Sequence, residues 1–279
     1  MPLRYRWRQW GVALVLGLVA ASAAAEPLQW RTLAPGLALG RFVDPAGAAA
    51  TGMHIVVVRI DPARWDLRLG LASETDGIDG LSAREWARRL GFVAVINAGM
   101  FATDYLTHIG YLQHREHVNN PRLSRYQSLA AFCPKTPEAV PFQIFDMDAP
   151  GFSLVGVKRR YNCMVQNLRL IKRPGENRWD PQPKTWIEAA LGEDRQGRAL
   201  MIFSRTPQSM HALNEMLLAL PLQIVSAQHL EGGPEAQLFV SVGDFNLEIV
   251  GGYENSSAAS AVLGAAWPLP NVIGVLPKP

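Results

Sequence analysis

Short apolar runs rich in β-branched and aromatic residues recur along the chain between Met53 and Val275. Runs of about four to eight such residues, bounded by turn-forming residues, are typical of β-strands. In DLRLGL (66–71), alternation places Leu67, Leu69 and Leu71 on one face, which predicts a half-buried strand. The other candidates are MHIVVVRI (53–60), FVAVI (92–96), SLAAF (128–132), FQIF (142–145), NLRLI (167–171), TWIEAAL (185–191), ALMIF (199–203), AQLFV (236–240) and NVIGV (271–275).

Turn and helix signals are fewer. LGEDRQGRAL (191–200) predicts a hairpin turn in which Gly192 and Gly197 supply the unusual backbone dihedrals. In LSAREWARRLG (81–91), Ser82 and the glutamate three residues later form a capping-box pattern. In TPQSMHALNEMLLALP (206–221), Thr206 is expected to cap a second helix and Pro207 to open it. The apolar stripe of that helix is Met210, Leu213, Leu217 and Leu220.

Many strands with two helices that do not alternate with them indicate an α+β fold, with a mixed, largely antiparallel β-sheet flanked by a few helices. No internal repeat, low-complexity block or linker is apparent in the sequence. We therefore predict a single domain over residues 26–279. Residues 1–25 are predicted to be a signal peptide, for the reasons that follow.

The first 25 residues have the pattern of a secretory leader. Three arginines precede a short apolar run from Gly11 to Ala20, and Ala23 and Ala25 fit the small-residue cleavage pattern. This leader carries three of the 27 basic residues and no acid, so 24 basic and 24 acidic residues remain after cleavage. A chain with balanced charge lacks the basic excess that nucleic-acid binding requires. Because of the leader, we expect a periplasmic or secreted location.

Two cysteines, Cys133 and Cys163, remain in the mature chain. In an oxidising compartment such a pair is more often bridged than free, so we predict a disulfide. The sequence does not show how far apart the two residues lie in space.

The segment VINAGMFATDYLTHIGYLQ (95–113) begins as an apolar strand that ends abruptly at Asn97. The loop that follows contains Gly99, Asp104, His108 and Gly110. Loops at strand ends are where a rigid scaffold presents functional groups, although ordinary turns also occur there.

A second polar segment, HLEGGPE (229–235), lies between a strand-like run and the strand AQLFV. Gly232 and Gly233 allow the backbone to approach a ligand closely, and Glu231 could transfer a proton or hold a cation. By spacing alone, a Gly-Gly-Pro turn with solvated acids is the simpler interpretation.

Taken in order, VINAGMF, THIGYL, ALGEDRQGRALMIFS and HLEGGPEAQLFV resemble the phosphodiester glycosidase family, over roughly His54 to Val275. The family includes the enzyme that uncovers mannose 6-phosphate by removing N-acetylglucosamine from its phosphodiester. Any one motif alone is weak, but their order is specific. The resemblance implies an exported enzyme that acts on a glycosyl phosphodiester.

Several positions depart from the family pattern. In the last motif Glu231 stands where the family has Asp, and Glu235 stands where it has Ser. Gln166 and Asn167 lie where the family often has Ser-Gly-Pro, and Lys184 precedes the hairpin strand where an Arg is common. These departures indicate either a different substrate or a site that binds without turnover.

The resemblance implies specific roles for residues within the motifs. Glu231 is the first choice for the carboxylate that transfers a proton or stabilises positive charge, and Asp104 and Glu235 are the second choices. His108 and His229 would orient phosphate or shuttle a proton. The expected substrate-binding residues are Asn97, Gly99, Gly110, Gln166, Asn167, Gly232, Gly233 and Glu235.

These assignments leave two interpretations of the function. The first is an exported hydrolase that cleaves a glycosyl phosphodiester or related envelope glycan, and the second is a glycan-binding or envelope-associated protein on the same fold. In either case we expect the protein to bind a glycan or sugar phosphate and not to bind nucleic acid. We also expect no stable insertion into a membrane after the leader is cleaved. No residue pattern requires a cofactor, no zinc motif is evident, and a divalent cation at the carboxylates stays open. We expect the loops after Ile96 and before Ala236 to face one another across a single cleft.

We predict that export removes residues 1–25 and that the mature chain begins near Glu26, because the small residues before it fit the peptidase pattern. Intact mass spectrometry of the exported protein measures this directly. Recovery of the full-length chain from the cytoplasm would contradict the prediction.

Overall fold

The computed structural model describes residues 30–43, 54–75, 78–252 and 266–278. The predicted leader and its cleavage site lie outside these residues. The helices are α1 (Ala83–Leu90), α2 (Leu154–Arg160) and α3 (Met210–Ala219). The strands are β1 (Arg31–Ala34), β2 (Leu37–Val43), β3 (His54–Ile60), β4 (Trp65–Leu71), β5 (Ala94–Asn97), β6 (Leu112–His114), β7 (His117–Asn120), β8 (Ser128–Pro134), β9 (Phe142–Asp146), β10 (Tyr161–Asn167), β11 (Arg169–Lys172), β12 (Glu176–Asn177), β13 (Trp186–Asp194), β14 (Ala199–Gln208), β15 (Ile224–Gly232), β16 (Gln237–Val242), β17 (Phe245–Val250) and β18 (Asn271–Pro277).

These strands form three sheets. The largest has eight strands in the order β1-β2-β3-β14-β13-β15-β11-β12, and the two others have five strands each, in the orders β7-β6-β10-β8-β9 and β17-β16-β5-β18-β4. The strand pairs of the described residues are antiparallel. The α+β prediction is therefore confirmed, with three sheets in place of one.

The central core forms where the inner faces of the three sheets meet. Val58 of the large sheet, Val165 of the second and Ile96 of the third belong to one buried cluster. The opposite face of the large sheet is covered by α3, whose predicted stripe of Met210, Leu213, Leu217 and Leu220 is buried there. Successive side chains of a strand point to opposite sides of its sheet, so the large sheet has two separate apolar faces.

The first helix begins and ends as predicted. The Ser82 side chain accepts a hydrogen bond from the backbone N–H of Glu85, and the Glu85 side chain accepts one from the backbone of Ser82. Gly91 ends the helix with a left-handed φ of 71°. All of these signals lie within one turn of each helix end, which is why the sequence alone reveals them.

The predicted start of the second helix is wrong. Thr206 and Pro207 belong to β14, which continues to Gln208 because that residue pairs with Trp186 of β13. The helix is instead capped by Ser209, whose side chain accepts a hydrogen bond from the N–H of Ala212. Because β14 pairs with β13 up to Gln208, the helix begins later than the local residue pattern predicted. Helix α2 was not anticipated.

The predicted hairpin joins β13 to β14. Gly197 has the expected positive φ of 75°, because it lies in the tight turn. The expectation for Gly192 is wrong: it pairs with Leu200 inside the strand ladder and is not among the residues with positive φ.

Cys133 and Cys163 form a disulfide with a Cα–Cα distance of 5.4 Å, as predicted. They belong to β8 and β10, which are adjacent antiparallel strands of the second sheet. No helix of the described residues is long and apolar enough to cross a membrane.

Replacing both Cys133 and Cys163 by alanine should lower the free energy of unfolding by roughly 3 to 4 kcal/mol, because the bridge closes a loop across 30 positions of the unfolded chain. For a chain of this size we expect a Tm lower by roughly 10 °C. Calorimetry of the variant measures the shift, and the reduced unmodified protein is the matched control. An unchanged Tm in both would contradict a structural role for the bridge.

Candidate functional site

A cleft of about 590 Å³ opens on the face of the large sheet that α3 covers. Its lining comes from the loop after β5, from β13 and β15 and from the residues around them. The lining residues are Met100, Leu168, Trp179, Lys184, Trp186, Met210, His229, Glu231, Gly232, Gly233, Pro234 and Gly252. The loops after Ile96 and before Ala236 therefore contribute to one cleft, as the sequence predicted.

Pairing of β15 with β13 determines which side chains face this cleft. Leu230 points into the central core, so its neighbours His229 and Glu231 point to the opposite face. Glu231 lies opposite Ala189, and Gly232 lies opposite Glu188. A register shift between the Glu231–Ala189 pair and the neighbouring His229–Ala190 pair places two steps of β15 against one step of β13. Such irregularities re-aim side chains next to functional sites.

A buried carboxylate holds the imidazole of His229. Glu188 and His229 are 1% and 5% exposed, and Glu188 Oε1 is hydrogen-bonded to His229 Nδ1. The other carboxylate oxygen accepts a hydrogen bond from Trp186 Nε1 at 2.7 Å. Burial lowers the pKa of His229, but the carboxylates of Glu188 and Glu231 outweigh it and the net pKa lies above its ordinary value. Burial also raises the pKa of Glu188, although His229 and the Trp186 N–H act in the opposite direction.

Glu231 is the second ionisable group of the cleft. Burial raises its pKa to about 7, and the carboxylates of Glu235 and Glu188 act in the same direction. His229 and the N–H of Gly232 oppose the shift, and that N–H donates to Glu231 Oε1 at 3.1 Å. A carboxyl group that titrates near neutral pH inside a cleft is typical of acid–base sites.

The walls of the cleft are largely apolar and aromatic. Trp179 is fixed by a hydrogen bond from its Nε1 to the carbonyl of Arg169 at 2.9 Å, and Lys184 Nζ lies 5.3 Å from the ring centre of Trp186. Gly232 packs so closely that a Cβ there would lie 2.9 Å from Trp186 Cδ1 and 2.8 Å from a backbone oxygen. Glycine at this position is therefore required by the aromatic wall.

The first motif forms a buried polar cluster beside the cleft. His108 Nδ1 accepts a hydrogen bond from the N–H of Gly110 at 2.9 Å, and Asn167 Nδ2 donates to the carbonyl of Ala98 at 2.8 Å. A Cβ at Gly99 would come within 2.2 Å of Asn167 Oδ1 and 2.6 Å of His108 Nε2. Burial lowers the pKa of His108 to about 4, so this imidazole is neutral at pH 7. Gly99, His108 and Asn167 do not line the cleft. Met100, which follows Gly99, and Leu168, which follows Asn167, do line it.

Two further predicted binding residues support loops and strands. Gln166 is fully buried, and its amide accepts from the N–H groups of Tyr111 and Ser124 and donates to the carbonyls of Ser124 and Tyr126. Asn97 accepts a hydrogen bond from the N–H of Gln237 at 3.2 Å, which links β5 to β16. The structure therefore gives both side chains backbone partners outside the cleft lining.

The two alternative carboxylates differ in position. Asp104 is exposed and caps its own turn by accepting hydrogen bonds from the Thr107 hydroxyl and from the N–H groups of Leu106 and Thr107. The Thr107 hydroxyl lowers the pKa of Asp104 most, and the structure does not bring this residue to the cleft. Glu235 lies half-buried in the turn after Gly233, where burial raises its pKa.

Three further residues of the candidate site were not predicted from the sequence: Trp179 and Trp186, which line the cleft, and Glu188, which is bonded to His229. The one available signal for Glu188 was an isolated acid within the apolar run TWIEAAL. Such an acid is rarely buried without a partner. No group of three or more His, Cys, Asp or Glu residues in the described ranges is arranged to hold a metal ion.

Comparison with solved structures identifies the fold. A hypothetical protein from Synechocystis aligns with a TM-score of 0.60 and 14% identity, over 92% of this chain and 65% of that one. This chain thus spans less than two thirds of that protein's length. The zebrafish N-acetylglucosamine-1-phosphodiester α-N-acetylglucosaminidase catalytic domain, auto-inhibited by its pro-peptide, aligns with a TM-score of 0.62 and 11% identity, over 89% of this chain and 86% of that one. At such identities the likeness shows the fold alone.

No curated protein matches this chain in sequence. The sequence model of the phosphodiester glycosidase family, however, matches residues 90–276. This range is more than half of the chain and includes both the loop after Asn97 and the Glu231 segment. The protein therefore belongs to the phosphodiester glycosidase family.

Proposed function

We propose that the protein is an exported hydrolase that cleaves a glycosyl phosphodiester or a related envelope glycan, with Glu231 as its principal carboxylate. The observation that carries the proposal is the position of Glu231 in an aromatic cleft, with a pKa of about 7. Family membership supports the class of substrate.

The chemistry of a sugar 1-phosphodiester suits this set of groups. Cleavage at the acetal carbon develops positive charge on the sugar ring and negative charge on the departing phosphate. An ionised carboxylate near the anomeric carbon stabilises the first charge or accepts a proton from the attacking water. We assign this role to Glu231. Its Oε1 accepts a hydrogen bond from the N–H of Gly232, which fixes the direction of the carboxylate.

The rest of the cleft offers partners for the remaining parts of the substrate. Lys184 supplies a cation for the phosphate, and Trp179 and Trp186 supply apolar surface for a sugar ring or aglycone. Pockets of this kind commonly combine apolar walls with a few convergent polar groups.

Export to an oxidising compartment is part of the proposal. The leader-like start of the sequence supports it, and so does the Cys133–Cys163 disulfide, since such bridges persist outside the cytoplasm.

Purified mature protein should hydrolyse at least one member of a panel of sugar 1-phosphodiesters. Because Glu231 must be ionised, kcat/KM should rise with pH up to about 7. Glu231→Gln should lower kcat by at least about 100-fold and change KM much less. Glu138→Gln, which alters an exposed glutamate, is the matched control and should retain full activity.

Two results would contradict this assignment. Full hydrolytic activity in Glu231→Gln would exclude Glu231 and make Glu235, which lies in the turn beside the cleft, the next residue to test. Binding of the panel without turnover in the unmodified protein would favour a glycan-binding function.

The raised pKa of Glu231 also has a consequence for stability. A carboxyl group whose folded pKa exceeds its unfolded value of 4.5 destabilises the fold increasingly as pH rises from 4.5 to about 7. Glu231→Gln should therefore raise the free energy of unfolding by about 1 to 3 kcal/mol at pH 8.5 and have little effect at pH 4. Thermal unfolding at the two pH values measures this, and an equal effect at both would contradict the shift.

A further inference from the structure

We propose that Glu188 is a positioning residue that holds His229 with its Nε2 toward the cleft, so that His229 and Glu231 act as a proton-transfer pair on the substrate. The catalytic part of this inference rests on the proposed hydrolase function. The positioning part stands on the geometry of the pair.

The Glu188 carboxylate is held from two sides. One oxygen is bonded to His229 Nδ1, and the other accepts the Trp186 indole N–H. Burying a carboxylate is costly unless it is bonded in this way, and apolar residues can replace a buried ion pair without loss of stability. A stability role alone therefore gives little reason for an acid at this position of β13.

The remaining bonds of His229 leave one ring nitrogen for a ligand. Its backbone N–H donates to the carbonyl of Leu168 at 2.8 Å, and Nδ1 is occupied by Glu188. Nε2 has no hydrogen-bond partner in the described part of the chain, and the residue lines the cleft. A carboxylate on one nitrogen of an imidazole fixes its tautomer and makes the other nitrogen the reactive one.

His229 and Glu231 can then divide the reaction between them. Water attacks the anomeric carbon and gives a proton to the Glu231 carboxylate, while the bond from that carbon to the phosphate oxygen breaks. The His229 imidazolium gives its Nε2 proton to the departing phosphate oxygen. The products are the free sugar and a phosphomonoester, and proton exchange with solvent returns both groups to their starting states.

The electrostatic surroundings favour this division. Glu188 faces His229 from β13, and Glu231 lies on β15 with His229. Lys184 lines the same cleft, and Glu235 lies beyond Glu231 along the chain. The two nearest carboxylates raise the pKa of His229 above its ordinary value, which keeps the imidazolium available near neutral pH.

The test begins with a readout that needs no turnover. In ¹⁵N-labelled protein, NMR titration should show His229 protonated on Nδ1 and titrating above its ordinary pKa of 6.5. In Glu188→Gln, the Trp186 N–H still requires an oxygen, so the introduced amide turns its NH₂ group toward Nδ1. The neutral tautomer should therefore change to Nε2–H, and the pKa should fall by about 1 or more.

Kinetics provide the second readout. Glu188→Gln should lower kcat about 10- to 1000-fold, change KM little, and move the basic limb of the pH–rate profile to lower pH. The double variant with His229→Gln should lose no more activity than His229→Gln alone, because the two residues act as a unit. Glu188→Asp keeps the charge and serves if the amide variant does not fold, with partial recovery of kcat expected.

The matched control is Glu193→Gln. Glu193 is another buried glutamate of β13, but it is bonded to Arg173 and to the N–H of Ile144, outside the cleft lining. This variant should leave the His229 titration and kcat unchanged.

A His229 tautomer and pKa that are identical in wild type and Glu188→Gln would overturn the positioning role, and so would additive kinetic losses in the double variant. Failure of the proposed function is seen separately. If the unmodified protein turns over no substrate while the NMR titration depends on Glu188, the positioning is supported and the proton-transfer role is overturned.

Discussion

Antiparallel pairing between β13 and β15 is the constraint on which the candidate site depends. The two strands belong to the middle of the large sheet, and their alternating side chains fill the central core on one face and the cleft on the other. A one-residue change of register would turn Glu231 into the core and Leu230 into the cleft. The same pairing places Glu188 beside His229, 41 positions later in the sequence. One ladder of backbone hydrogen bonds therefore brings Glu188, His229 and Glu231 together.

The first motif contributes to the site through support. Gly99, His108 and Asn167 pack so closely that no side chain fits at the glycine, and this fixes the path of the chain toward Met100. Gln166 clamps neighbouring loops through backbone partners. We infer that the polar residues of this loop hold one wall of the cleft in place, while the residues of β13 and β15 contact the ligand.

The sequence predicted those features whose causes are local. The capping box of α1 lies within four residues, and the alternation of β4 is visible in six. Features that depend on distant partners were missed or misplaced. The start of α3 was wrong because Gln208 pairs with Trp186, and Glu188 was overlooked because its histidine partner lies on another strand. Of the candidate site residues, His229, Glu231, Gly232 and Gly233 do line one cleft, whereas Asp104 lies on the surface.

The central claim is that the substrate lies with its anomeric carbon at Glu231. A crystal structure of the mature protein with a non-hydrolysable sugar 1-phosphonate ester tests it most directly. The anomeric carbon should lie roughly 4 to 6 Å from the Glu231 carboxylate, so that one water fits between them, with a phosphonate oxygen at His229 Nε2 and the sugar against Trp179 and Trp186. A ligand bound elsewhere on the protein, or one in the cleft with its anomeric carbon remote from Glu231, would contradict it.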